Sequence, residues 1–348
     1  DLLPYDALLD AYDPGMRRAE IDGIFGELRV FLPDLIGRVI DRQAAGAALL
    51  PVTGKTTVAA QRVLGERIMM ALGFDTDFGR LDVSHHPFSA GVPDDVRITT
   101  RYKADAFTES LMGVIHETGH ALYERGLPAD WRWQPVGVAR GMTMHESQSL
   151  LMEMQACRSP AFVAFAAPIM RETFGGTGPS WETGNLLRLY HKVDRSLIRV
   201  EADEVTYPAH ILLRYDLESA MVAGDLHVAD LPGAWRDGLR TLLDIAAPDD
   251  KDGCMQDIHW YGGDFGYFPT YTLGALAAAQ LFQAACDANP DVMAGIGRGD
   301  FSPLLTWLRA QVHSKGSLLG TNALLVEATG APLGAAAFRA HIEQRYLG

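Results

Sequence analysis

Between Asp105 and Arg125 the apolar residues Phe107, Leu111, Ile115 and Leu122 recur at intervals of 4, 4 and 7, a buried stripe that points to one long α-helix. Into this stripe is set His116-Glu117-Thr118-Gly119-His120. Residues i and i+4 lie one turn apart on the same helix face, so both imidazoles can aim a nitrogen at one point. Glu117 sits one position round, badly placed to ligate at that point but able to reach a water held there. Asp105 is placed to cap the start, and Gly126 fits the left-handed residue after the end. Gly113, one turn before His116, leaves room above the histidine face.

Two histidines on an ordinary amphipathic helix would be unremarkable without a third ligand. A metzincin would need a glycine three residues after His120 and a histidine three further on; Tyr123 and Gly126 stand there, which excludes that class. Glu146 remains, in Met144-His145-Glu146-Ser147-Gln148-Ser149, opening the helical stretch Leu150 to Met154. Two histidines and a helix-borne glutamate hold one divalent ion with a fourth position open for water. Glu153 is the fallback ligand. His145 and Glu153 are better placed to orient the ligands by hydrogen bonding, with plain surface or helix-cap roles as the alternative.

Composition narrows the rest. With 348 residues and 48% hydrophobic content the chain can bury a large core, as one domain spanning 1–348 or as two lobes. A formal charge of −14 argues against nucleic acid or an anionic membrane as partner. Cys157, Cys254 and Cys286 are odd in number and widely spaced, so neither a disulfide framework nor a cysteine metal site is indicated, and a reducing cytoplasm suits the chain best. No run of 18 apolar residues exists, and Asp1-Leu2-Leu3-Pro4 has no targeting pattern. The absence of an initiator Met suggests a sequence that is not the whole translated product.

Most of the chain reads as helix, punctuated by Gly and Pro. Glu20 to Val39 keeps Ile21, Ile24, Phe25, Leu28, Phe31, Leu32 and Leu35 in register, and Lys55 to Leu72 forms a second helix. The pattern turns to strands over about residues 82–103: Val96, Ile98 and Thr100 alternate with Arg97, Thr99 and Arg101 after a turn at Pro93-Asp94-Asp95. This small sheet precedes the histidine helix as the edge strand of many zinc peptidases does, where it could hold an extended peptide. Further helices are expected at about 160–174, 181–223, 232–246, 270–288, 302–313 and 333–346, with glycine loops at 175–179 and 295–299. The Ala-rich run Gly274 to Ala279 indicates close helix packing.

Five more segments, in this order around the histidine motif and Glu146, make the chain resemble the thermostable (Taq-type) carboxypeptidase 1 family of metallopeptidases. They are His86-Pro87-Phe88; Asp95-Val96-Arg97-Ile98-Thr99; Ile198-Arg199-Val200-Glu201-Ala202-Asp203; Gly253-Cys254-Met255-Gln256-Asp257-Ile258-His259-Trp260; and Gly266-Tyr267-Phe268-Pro269-Thr270-Tyr271. The resemblance spans nearly the whole chain. It implies a mainly α, zincin-like (gluzincin) saddle with a deep groove, release of single C-terminal residues from peptides, zinc or cobalt as cofactor, and a homodimer. Members are typically longer, and an N-terminal helical part that helps wall the groove has no counterpart here.

Under this reading Glu117 takes a proton from the metal-activated water and passes it to the leaving amine. Tyr271 is the first choice as donor to the developing oxyanion and Tyr267 the second, with His259 assisting. That choice rests partly on the resemblance, because a tyrosine in such a segment more often packs than reacts. A carboxypeptidase also needs a cation for the substrate carboxylate. Arg199, on an expected helix, resembles the family's anchor, and Arg97 is the second candidate. Each has a bland alternative in an ion pair, Arg199 with Asp203 and Arg97 with Asp95. Tyr207 and His210 rank lower as groove residues. The competing functions are an oligopeptidase or endopeptidase with the same metal chemistry, and a non-catalytic metal-binding protein, against which Glu117 argues.

Overall fold

The computed structural model describes residues 2–104 and 106–348. Helices α1 (Pro4–Tyr12), α2 (Arg18–Ala45) and α3 (Val58–Ala71) lead into strands β1 (Gly79–Val83), β2 (Phe88–Val92) and β3 (Asp95–Thr100). The histidine helix α4 (Phe107–Gly126) follows, then α5 (Gly141–Leu150), α6 (Pro160–Phe174), α7 (Thr183–Tyr190) and α8 (Tyr207–Ala223). The remainder is α9 (Leu231–Leu243), α10 (His259–Gly262), α11 (Pro269–Ala288), α12 (Asp291–Ile296), α13 (Ser302–Gln311), α14 (Thr321–Thr329) and α15 (Ala336–Leu347). The architecture is mainly α with one small sheet, as the apolar spacing predicts.

One core joins these helices. Ile21, Phe25, Leu28, Leu32 and Leu35 of α2 are buried in the same cluster as Phe107, Leu111, Ile115 and Leu122 of α4 and Leu273, Leu276 and Ala277 of α11. Burying each large aliphatic or aromatic side chain contributes roughly 1.5–3 kcal/mol, which makes this shared cluster the main stabilising feature. A second cluster couples the sheet to α4: Leu81, Val96 and Ile98 pack with Val114 and Ala121. The sheet therefore fixes the helix from the side away from the main core.

Three local expectations are corrected. Strand β3 is central, not an edge: it pairs in parallel with β1 and antiparallel with β2, Gly79 opposite Val96 and Phe88 opposite Thr99. Gly126 is the last residue of α4 and has no left-handed φ. Its missing side chain is needed for packing instead, since a Cβ there would lie 2.3 Å from His313 Nδ1. The expected helix 181–223 is two helices, with extended chain and a 3₁₀ turn (Arg199–Glu201) between α7 and α8. Gln43 holds the break by donating to His191 O at 2.7 Å and accepting from Val193 N at 3.1 Å. Asp203 then holds the turn that leads into α8, accepting from the backbone N–H groups of Val205 and Thr206 at 2.9 and 3.0 Å. The expected cap at Asp105 lies outside the described residues.

Helix α5 begins earlier than expected and contains Glu146 well inside it. It runs directly into a π-helical segment, Leu151–Ala156, that carries Glu153. Wider turns of this kind re-aim side chains relative to an α-helix.

Candidate metal centre

Helices α4 and α5 cross where their backbones come unusually close. A Cβ on Gly119 would lie 2.5 Å from Gln148 O and 2.6 Å from Ser149 Cα, so glycine is required between the two histidines. From the other side α11 presses on α5, and a Cβ on Gly274 would lie 2.7 Å from Glu146 Cβ. Helix α5, which carries Glu146, is thus held between two glycine contacts. Its Oε2 lies 3.7 Å from His116 Nε2 and 3.4 Å from His120 Nε2. One donor atom from each of the three residues falls within 4.8 Å of the others, a spacing that can hold one metal ion. Gly113, by contrast, is not needed for clearance: a Cβ would make ordinary contacts with Thr100 and Pro87 at 3.5 and 3.7 Å.

The outward ring nitrogens are occupied, which leaves both Nε2 atoms facing inward. His116 Nδ1 lies 3.0 Å from Glu153 Oε2, and Arg158 Nη2 donates to the other Glu153 oxygen at 2.7 Å. His120 Nδ1 lies 2.7 Å from His145 Nδ1, and His145 Nε2 lies 2.8 Å from Glu124 Oε1. A carboxylate can only accept, so His145 donates to Glu124 through Nε2 and accepts at Nδ1 from His120. Both ligand imidazoles then present a lone pair at Nε2. Burial pulls His120 down to about 4. At His116 burial acts the same way, but Glu146 and the hydrogen bond to Glu153 outweigh it and raise the ring to about 10. Burial also opposes ionisation of Glu146, which His116 and His120 nevertheless hold at about 2. A divalent cation would take the place of the proton on His116 and meet the free lone pair of His120, which is what a ligand set requires. Burial pushes Glu117 up to about 7, the range suited to a group that accepts and returns protons.

A second cluster forms around Asp257. Arg199 donates to Asp257 Oδ1 through Nε and Nη2 at 2.9 and 2.6 Å, and through Nη1 to Tyr207 Oη at 2.7 Å. The partner is therefore Asp257, not Asp203, and the arginine sits on a 3₁₀ turn, not a helix. Its guanidinium lies 5.0 Å from the Tyr271 ring centroid. Tyr271 Oη is 3.1 Å from His259 Nε2, and the rings of Tyr267 and Tyr271 meet edge to face at 5.2 Å. Tyr271 lies one turn before Gly274 on α11, which brings this cluster next to Glu146. Burial, reinforced by Glu146, keeps Tyr267 above its ordinary range, and burial with Tyr207 does the same for Tyr271. Both phenols therefore remain proton donors. Burial raises Tyr207 to about 12. The loop bearing Tyr267 is fixed from α1: Tyr12 packs edge-on against Tyr267 at 5.0 Å and donates to Asp264 at 3.0 Å.

Arg97 is placed elsewhere. Its neighbours Val96 and Ile98 are buried against α4, so Arg97 projects from the opposite face, half exposed, donating to Asp95 at 2.7 Å. His210 is buried on α8 and held down to about 3, by burial first and then by Arg214. Several residues of the site escape sequence reasoning. Glu124 could have been found at i+4 from His120. Asp257 stands in a segment that carries the resemblance, but its role needs Arg199, 58 residues away, as partner. Arg158 and Arg214 give no signal in the sequence.

A helix-borne histidine pair and a glutamate from the next helix, with the buried carboxylate of Glu117 beside them, form a group that could hold one metal ion in a mainly helical fold. The chain belongs to the Carboxypeptidase Taq (M32) metallopeptidase family, whose model matches residues 1–346; this is a family of metallocarboxypeptidases, which are hydrolases. It is 44% identical to thermostable carboxypeptidase 1 of Thermus thermophilus over 98% of this chain and 67% of that protein. It is 36% identical to carboxypeptidase 1 of Bacillus subtilis over 95% of this chain and 66% of that protein. Among solved structures, Trypanosoma cruzi metallocarboxypeptidase 1 superposes with a TM-score of 0.97 at 42% identity, covering 100% of this chain and 73% of that one. A putative oligoendopeptidase F from Bacillus anthracis shares the fold alone, with a TM-score of 0.59 at 14% identity over 95% of this chain and 56% of that one. The chain thus spans about two thirds of the length of its curated relatives. Among the described residues, no helix is long and apolar enough to cross a membrane.

Proposed function

We propose that the protein is a metal-dependent carboxypeptidase that removes single residues from the free C-termini of peptides. The observation that carries this reading is Arg199, a buried guanidinium beside the tyrosines that flank Glu146. It has five N–H groups, of which Asp257 and Tyr207 take three, leaving one on each terminal nitrogen for a carboxylate. His116, His120 and Glu146 would hold a divalent ion, zinc by the N₂O donor set and cobalt as an alternative. When bound, such an ion supplies Lewis acidity for a water and for the scissile carbonyl.

The chain's own residues do the rest. Glu117, within the field of both His116 and Glu146, accepts the water's proton and returns it to the departing amine. Tyr271 and Tyr267, kept protonated, donate to the oxygen on which negative charge develops, and neutral His259 orients the Tyr271 hydroxyl. Arg199 fixes the terminal carboxylate and so decides which peptide bond reaches Glu117. We extend the proposal to one catalytic unit spanning the chain, to the homodimer that the resemblance implies, and to a reducing cytoplasmic setting, supported by three unbridged cysteines.

The test is mass spectrometry on the metal-reconstituted protein with one peptide in two forms, free acid and C-terminal amide. Stepwise loss of single residues from the acid and none from the amide is expected. Cleavage of both forms at internal bonds would replace this reading with the oligopeptidase one.

A further inference from the structure

Two guanidinium groups share one carboxylate beneath the tyrosines. Asp257 accepts from Arg199 on Oδ1 and from Arg214 Nε on Oδ2, the latter at 2.6 Å. Both arginines are buried, Arg214 completely, and Asp257 keeps only 9% of its side chain exposed. By formal charge the cluster is left with one uncompensated positive charge. The neighbouring imidazoles do not alter that sum, because burial and the arginines hold His259 at about 4 and His210 at about 3, neutral at pH 7.

The acid one turn further along α8, Glu218, is occupied elsewhere: it accepts from Tyr5 Oη, from Trp260 Nε1 at 3.0 Å and from Gly266 N at 3.3 Å. The remaining partners of Arg214 are neutral. Nη1 donates to His210 O and Nη2 to Gln256 Oε1, both at 2.9 Å, and its plane lies 4.6 Å from the Trp235 ring centroid. Aromatic faces and carbonyls moderate a buried cation without neutralising it. A buried excess charge is costly, and such sites are where a ligand of the opposite sign is bound.

We propose that Arg214 sets the selectivity for a carboxylate: by sharing Asp257 with Arg199 it leaves the pair one negative charge short, and the substrate's terminal carboxylate supplies that charge. This deepens the carboxypeptidase reading and rests on it. Without Arg214, Asp257 would neutralise Arg199 outright, and the two remaining N–H groups would bind a terminal amide almost as well as an acid. Arg214 touches no substrate atom; it is a positioning residue that acts through Asp257.

The experiment measures KM and kcat for the acid and amide forms of one peptide, with metal affinity as a second readout, in the wild type, Arg214→Met and Arg214→Lys. Removing a charge at this range in a buried site should raise KM for the acid on the order of tenfold or more, with a smaller change in kcat and the same metal affinity. Arg214→Lys keeps the charge but not the three-nitrogen fork, so its KM should rise less than that of Arg214→Met. A KM in Arg214→Met within about twofold of wild type overturns the proposal, and so does an equal rise in both variants, which would mean packing and not charge. Should Arg214→Met fail to fold, Arg214→Gln carries the test: it is neutral and keeps a donor for His210 O, so a KM within about twofold of wild type overturns the proposal as it would for Arg214→Met. A wild type that trims acid and amide alike overturns both this inference and the carboxypeptidase reading; discrimination by the wild type with unchanged variants overturns this inference alone.

Discussion

At the α4–α5 crossing, Glu117, Glu146 and Glu153 face a single permanent cation, Arg158. Around Asp257, two arginines face a single acid. Both clusters are buried, both leave a charge unmatched, and the signs are opposite. A third buried network provides the contrast: Glu204 is met by Arg345, by His341 and by the hydroxyl of Tyr346, and its charge is closed by the protein itself. Burying charge is favourable only when it is paired, so the two unbalanced clusters are built to be completed from outside. On the proposed reading a divalent cation completes the first and a carboxylate the second, whereas the balanced network needs neither.

The largest effect expected comes from Glu117→Gln, which leaves His116, His120 and Glu146 in place but removes the proton acceptor. Its kcat should fall by about a thousandfold, with metal affinity retained by chelator competition. Metal loss in parallel would mean that Glu117 belongs to the ligand set. Next is Glu153→Gln, which keeps one carbonyl oxygen where the carboxylate has two, so His116 Nδ1 and Arg158 can no longer both be met and the charge opposite Arg158 is lost. Metal affinity should drop about 10–100-fold. An unchanged affinity would remove Glu153 and Arg158 from the account of the negative cluster.

A smaller effect separates packing from charge. Gly119→Ala adds a methyl group against the backbone of Gln148 and Ser149, neither of which can swing aside. Destabilisation of about 1–3 kcal/mol in urea melts is expected, together with weaker metal binding as α5 is pushed away. Wild-type stability in that variant would show that the helices do not need their close crossing.

The smallest effect concerns the balanced network. Burial disfavours the Glu204 carboxylate, but Arg345 and His341 outweigh it and hold the group well below its ordinary 4.5. The unfolded state therefore binds its proton first as pH falls, so the stability this group contributes is present above 4.5 and is lost as pH drops below it. Glu204→Gln should be less stable than wild type at neutral pH and lose less on acidification, read from melts across the acid range. Parallel curves for the two proteins would show that Glu204 does not titrate as described.

The metal cluster was far more legible in the sequence than the arginine cluster, for a physical reason. His116, Glu117 and His120 sit within one helical turn, where spacing alone fixes geometry, and Glu146 lies on the next helix. The long stripes of α2, α4, α6 and α11 were equally plain because each buries a full face in the main core. Short helices such as α1, α12 and α14 carry too few turns to show a period. The break between α7 and α8 contains no Gly or Pro at all; Gln43, Asp203 and the pairing of Arg199 with Asp257 create it, and all but Asp203 act from distant parts of the chain. Gly126 looked like a helix terminator because its real constraint, His313, is 187 residues away. Arg214 stayed hidden because a buried arginine inside an apolar helix has no local pattern, only a partner.

The claim that two independent clusters of opposite sign divide the work is tested most directly by Arg199→Met, with KM for an unblocked peptide and the dissociation constant of the metal measured on the same protein. The account predicts that KM rises on the order of a hundredfold, since a charged fork loses its whole contact, while the metal constant stays as in the wild type. An unchanged KM, or a metal affinity that falls together with it, would contradict the account.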